Sequence, residues 1–131
     1  MALTATQFFV NLHVRNVKQS VAFFTGLGFA FDMRFALEEK SACIVIGEKT
    51  FVMLTTEDFF QTLTNKEIVD TNKHAQLTIA MFVESREKVD EIVKTAASLG
   101  GKIVTEPEDH GFMYQWGFQD LDGHLWAIGA E

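Results

Sequence analysis

The side chains that could carry chemistry are few in this 131-residue chain: four histidines, one cysteine and eighteen carboxylates. His13 lies in Phe8-Phe9-Val10-Asn11-Leu12-His13-Val14, where Phe9, Asn11 and His13 alternate onto one face of an expected strand. On that face Asn11 would orient a ligand. His13, of a residue type that titrates near ~6.5, would serve as a general base. The alternative is a solvated histidine at a strand end. His110 sits in Glu108-Asp109-His110-Gly111. It reads either as an acid/base group in a mobile lid, its proton held by the neighbouring carboxylates, or as a loop cap bonding backbone. Tyr114 and Trp116 share one strand parity; their rings join apolar area to one polar tip, which suits a cleft wall, or else they pack a sheet face on its neighbour.

The remaining candidates read as structural. Cys43, inside Ala42-Cys43-Ile44-Val45-Ile46, is expected to be a buried, inert thiol, since no His or Lys flanks it to favour thiolate. His124 follows the turn Asp122-Gly123 and reads as a surface hairpin residue; His74 falls in a polar connection. No HxxxH or HxH pair is present, so a zinc site of that kind is not expected. The glycine pairs follow expected helices and act as stops, not as phosphate cradles. No nucleophile-elbow motif occurs.

The elements that must position these groups follow from periodicity. Phe8–Val14 reads as a strand, and Asn16 caps a helix carrying Val17, Val21, Phe24 and Leu27 at helical spacing, which Gly26 and Gly28 stop. Strands are expected at 29–35, 41–46 and 50–55, with a turn at Gly47-Glu48-Lys49. Residues 57–73 read as a connection with a short helix near Asp58–Leu63. The order then recurs: a strand at 76–83, a helix capped by Ser85 with Val89, Ile92, Val93, Ala96 and Leu99 on one stripe, Gly100-Gly101 as its stop, a strand at 102–105, and a hairpin 112–119 and 124–129 turning at Asp122-Gly123.

Composition narrows the function classes. Hydrophobic residues make up 47% of the chain, enough for a core, and thirteen Phe against one Tyr suggest a thick apolar interior, an apolar pocket or a subunit interface. The formal net charge of -7 opposes binding to nucleic acid or to anionic lipid. A single cysteine forms no internal disulfide, and no leader-like or membrane-spanning apolar stretch is seen, so a cytoplasmic location is expected.

Two motifs carry a family resemblance. Val14-Arg15-Asn16-Val17-Lys18-Gln19-Ser20-Val21-Ala22-Phe23-Phe24 with Leu27-Gly28-Phe29, and Phe118-Gln119-Asp120-Leu121-Asp122-Gly123-His124-Leu125-Trp126, resemble the opening and closing signatures of the vicinal-oxygen-chelate superfamily of glyoxalases, bleomycin-resistance proteins and extradiol dioxygenases. Glu106–Tyr114 resembles the loop of a bacterial subgroup of predicted lactoylglutathione lyases. The resemblance implies an α+β fold of two tandem βαβββ modules, about 5–56 and 74–131 joined by a linker at 57–73, forming a curved mixed sheet around a cleft in one domain. It also implies a homodimer in many members.

In metal-using members each of four strands supplies one ligand, typically His, Glu, His and Glu. Offsets from the matched motifs put those positions at Phe9, Met53, Thr78 and Ala127. Phe and Ala have no donor atom, a thioether is soft, and a Thr hydroxyl is weak for such ions. A one-residue slip would move a residue to the opposite sheet face. The expectation is therefore no metal and no cofactor. A cleft floored by Phe9, Met53, Thr78 and Ala127 would hold a small, partly apolar organic molecule, with Asn11, His13, His110, Tyr114 and Trp116 as its polar contacts. The alternatives are a glyoxalase-like lyase or isomerase using His13 or His110, or an atypical metal on His13 and Asp120, and a dimerising interaction module without ligand.

Overall fold

The computed structural model describes residues 1–37 and 39–131. They divide into two compact units, Met1–Ile68 and Val69–Glu131. The expected linker is shared between them: 57–68 belongs to the first unit and 69–73 to the second.

The first unit runs β1 Phe8–Val14, α1 Val17–Leu27, β2 Ala30–Phe31, β3 Ser41–Gly47, β4 Thr50–Thr56 and α2 Glu57–Gln61. The sheet order is β1-β4-β3-β2, with β1 parallel to β4 and the other pairs antiparallel. The helix α1 begins where the Asn16 side chain accepts from the Gln19 amide at 3.0 Å, and ends at Gly28, whose φ of 105° is open to glycine at no steric cost. Val17, Phe23, Phe24 and Leu27 are buried, as are Leu12, Val14, Val52 and Leu54 of the strands, and α1 packs on β3 and β4. The strand expected over 29–35 stops at Phe31. Asp32 accepts from the Arg34 amide at 2.9 Å and caps a 3-10 turn, Met33–Phe35, which takes the backbone out of the ladder.

The second unit runs β5 Thr78–Phe82, α3 Arg86–Ser98, β6 Lys102–Ile103, β7 Glu108–Asp109, β8 Tyr114–Gln119 and β9 Leu125–Ala130. Its order is β5-β9-β8-β6, with β7 also on β8 and β5 parallel to β9. The Ser85 hydroxyl accepts from the Lys88 amide at 3.1 Å and starts α3, whose stripe Val89, Ile92, Val93 and Ala96 is buried, as are Trp116, Phe118, Trp126 and Ile128 of the strands it packs on. The strand expected at 102–105 is shorter because the Gly117 amide turns to the Thr105 hydroxyl at 2.8 Å instead of a backbone carbonyl. The loop expected at 108–111 opens with the short strand β7.

The β8–β9 turn is tied to the start of the unit. Asp120 accepts from the amides of Asp122 and His124 and from Trp126 Nε1, at 2.9, 3.0 and 3.1 Å, and the Thr71 hydroxyl donates to the Asp122 carbonyl. Gly123 holds a φ of 87° with the Thr71 carbonyl where a Cβ would stand. Burial pushes the Asp120 carboxyl above the ordinary carboxylate range, against the pull of His124 and these donors. His124 is 3% exposed, not the surface hairpin residue expected, because this turn folds inward onto residues 70–73.

Candidate functional site

Register assigns each candidate to a sheet face. In the first unit Phe9, Asn11 and His13 pair with Phe51, Met53 and Thr55, and Cys43 with Met53, so these lie on the face away from α1. Much of that face is filled from within. Phe9 stacks on Phe51 with ring centroids 5.0 Å apart, and Phe35 of the 3-10 turn meets Phe9 edge-on at 5.1 Å. His13 is buried, against the reading of a solvated strand end: Phe60 of α2 lies 5.4 Å from its ring and Glu57 Oε1 4.0 Å from Nδ1. Asn11 is exposed. Cys43 is buried as expected, and burial lifts its thiol to about 11, so it stays protonated and unreactive at neutral pH. Beside α1, a cavity of about 620 Å³ is lined by Val17, Val21, Phe31, Met33, Leu37 and Ala42 among others.

In the second unit the face away from α3 carries Thr78, Ala80 and Phe82, then Leu125, Ala127 and Gly129, then Gln115, Gly117 and Gln119, with Glu108 beside Gln115. Thr78 and Ala127 come together there in a dish of about 160 Å³ that also includes Thr105, Glu108, Gln115 and Trp126. The floor depends on Gly117: a Cβ there would stand 2.7 Å from the Trp126 carbonyl oxygen. His110 Nε2 lies 3.1 Å from Glu108 Oε2 on the rim. Sequence reasoning treated Glu108 only as a neighbour of His110 and passed over Gln115. The signal was the parity of β8, since Gln115, Gly117 and Gln119 are its polar and small members.

Tyr114 and Trp116 belong to the other face. Both donate to one oxygen of Asp90 on α3, Tyr114 Oη at 2.6 Å and Trp116 Nε1 at 3.0 Å. Trp116 still borders the dish that holds Thr78, whereas Tyr114 does not, and the polar tips of both are taken by a helix carboxylate. The Asp90 bond lifts the Tyr114 phenol to about 12. Arg86 of α3 also donates to Asp109 at 2.9 Å and to the Gly111 carbonyl at 3.0 Å, and its guanidinium lies 5.6 Å over the Tyr114 ring. With the Gly111 amide on Asp109, and the His110 amide on the Met113 carbonyl at 2.8 Å, the loop that carries His110 is a clasped tight hairpin.

The four positions at which the family resemblance implies ligands carry side chains that do not suit a divalent ion. Phe9 and Met53 share one face in the first unit, and Thr78 and Ala127 share one in the second, offering carbon, a thioether and one hydroxyl. Asp120, weighed as an atypical ligand, uses both oxygens on its own turn and Trp126. Among the described residues no three His, Cys, Asp or Glu side chains gather where they could hold a metal ion.

The first unit has the βαβββ order, the second repeats it with the two-residue strand β7 added, and together they define an α+β fold of two mixed sheets. The chain belongs to the Glyoxalase/Bleomycin resistance protein/Dioxygenase superfamily, which it matches over residues 6–128. No curated protein matches it significantly. Among solved structures it is similar to a hypothetical protein from S. aureus, with 28% identity, a TM-score of 0.83 and coverage of 98% of this chain and 95% of that one. It is similar in fold to the fosfomycin resistance protein FosX from Listeria monocytogenes, at 20% identity and a TM-score of 0.67, covering 100% and 95% of the two chains. A lactoylglutathione lyase from Agrobacterium tumefaciens gives 12% identity and a TM-score of 0.67, covering 97% and 94%. No described helix is long and apolar enough to cross a membrane.

Proposed function

We propose that this chain is a ligand-binding member of its superfamily that has lost the inherited metal site and sequesters a small, partly apolar organic molecule. The observation that carries the reading is the donor chemistry of the dish on the second module. Thr78 and Ala127 stand where relatives would grip a cation, and the surface around them is apolar with a few polar groups, the composition of a small-molecule site. An apolar floor suits an apolar ligand, because neither surface must shed bound water at high cost. Phe9 and Met53 hold the matching positions of the first module. Resistance by sequestration would suit a relative of a protein whose name is fosfomycin resistance protein. Homodimer assembly is part of this proposal; neither a nucleic acid nor a membrane surface is.

A second reading is favoured by one contact. His110 within 3.1 Å of Glu108 is an arrangement in which a carboxylate orients an imidazole for proton transfer, as a lyase or isomerase would use it. The two readings separate in one set of assays on the pure chain. Sequestration predicts melting-temperature rises with apolar small molecules, by mass action on the native state, and no turnover of methylglyoxal with glutathione. Turnover that His110→Gln abolishes would replace the first reading with the second.

A further inference from the structure

The dish holds one charge. Among the described residues that line it, Glu108 is the single ionisable side chain; the others are Thr, Val, Gln, Trp, Gly, Leu and Ala, with no Lys or Arg. Glu108 reaches this face by register, since it pairs with Gln115 on β8, which pairs in turn with Gly129 on β9. Its Oε2 meets His110 Nε2 at 3.1 Å, and among the described residues its Oε1 has no further hydrogen bond. A carboxylate accepts hydrogen bonds and donates none. A ligand end seated here therefore meets an acceptor with negative charge, in a chain whose formal net charge is -7. An anionic group would be repelled, and a neutral apolar group would leave the carboxylate without a partner from the ligand. The volume of about 160 Å³ is below the ~300–1,000 Å³ of pockets that enclose a whole drug-sized molecule, so the dish holds one end of a ligand.

We propose that this dish receives the protonated amino end of its ligand, with Glu108 as the counter-charge and His110 as the residue that positions the Glu108 carboxylate. The inference rests on the sequestration reading and names its ligand class: a primary amine with an apolar body. The Gln115 side-chain carbonyl, on the strand position paired with Glu108, adds a second acceptor for the ammonium, and the apolar body runs toward Ala127 and Leu125. Gly117, with no side chain, leaves the floor low enough for it.

The test uses three probes of similar size: phenethylamine, 2-phenylethanol and 3-phenylpropionate. Each is titrated into the intact chain and followed by backbone amide NMR. The amine should perturb Thr78, Gln115 and Ala127 and bind about three- to five-fold more tightly than the alcohol, the range of an exposed ion pair, with the carboxylate weakest. Glu108→Gln should make amine and alcohol equal. Since Glu108 is exposed, its melting temperature should match the wild type. His110→Gln should reduce the amine preference while leaving alcohol binding unchanged, a selectivity change that loss of a merely structural contact would not produce. Equal binding of amine and alcohol by the wild type, or a preference that survives Glu108→Gln, overturns the amine assignment alone. If no probe perturbs the second module, the sequestration reading falls with it.

Discussion

Phe9 in the first module and Thr78 in the second stand at the same step of the first strand of a βαβββ unit, five residues before Val14 and Val83. Their surroundings differ. Phe9 is packed against Phe51 and Phe35, and four residues on, His13 is covered by Phe60 and Glu57 of α2. Thr78 is exposed, and beyond it the sheet presents Ala127, Gly117 and Gln115 as an open dish. One backbone plan thus gives a face filled by the chain's own rings and a face left for something else. The difference is made by side-chain size: Phe9, Phe51 and Phe35 fill the first face, whereas a Thr, an Ala and a Gly leave the second clear.

The sharpest way to break this contrast is to fill the second face as the first is filled. In Gly117→Val the new Cβ meets the Trp126 carbonyl at 2.7 Å, and the backbone must shift. Chemical unfolding should show a loss of about 3 kcal/mol, and binding of any ligand in the dish should vanish. A smaller effect comes from opening the first face. Phe9→Ala removes two aromatic contacts from a half-buried position and should cost about 2 kcal/mol, while Thr78→Ala in the second module should cost under about 0.5 kcal/mol. Equal costs at the two positions would contradict the contrast, since then both faces or neither would be packed.

The smallest effect concerns the helix side of the second module, which the account holds to be locked. Tyr114 is the chain's one tyrosine, so an ultraviolet titration reads it without interference from another. Its hydrogen bond to Asp90 should move the midpoint from the ordinary ~10 up to about 12. Because the folded value is the higher one, the bond's contribution to stability is complete below pH ~10 and is lost as pH rises through about 12. Asp90→Ala should return the midpoint toward ~10; a wild-type midpoint already there would mean that the phenol is not held.

Much of this organisation was legible in the sequence. Strand alternation and the caps Asn16 and Ser85 located β1, α1, β5 and α3, because burial of one face imposes a strict period that the residues obey. Parity also grouped Tyr114 with Trp116 correctly. It could not say which of two faces they take, since parity groups residues without saying which side of the sheet the helix covers; their hydrogen bonds to α3 decide it. That Glu108 faces the dish depends on β7 pairing with β8, a contact two residues long that leaves almost no periodic trace. His124 was misread because burial of the Asp120–His124 turn comes from Thr71, fifty-three residues earlier in the chain, and no local pattern records that contact. The residues over 29–35 carry strand-forming Phe29, Phe31 and Phe35, and the cap made by Asp32 overrode them.

The central claim is that the inherited ligand steps cannot hold a cation. Its most direct test is titration of the isotope-labelled, metal-stripped chain with Mn²⁺, whose unpaired electrons broaden nearby amide signals. The account predicts no saturable broadening centred on Phe9, Met53, Thr78 and Ala127, and at most diffuse loss over surface carboxylates at high concentration. Stoichiometric broadening of those four at one equivalent of metal would contradict it.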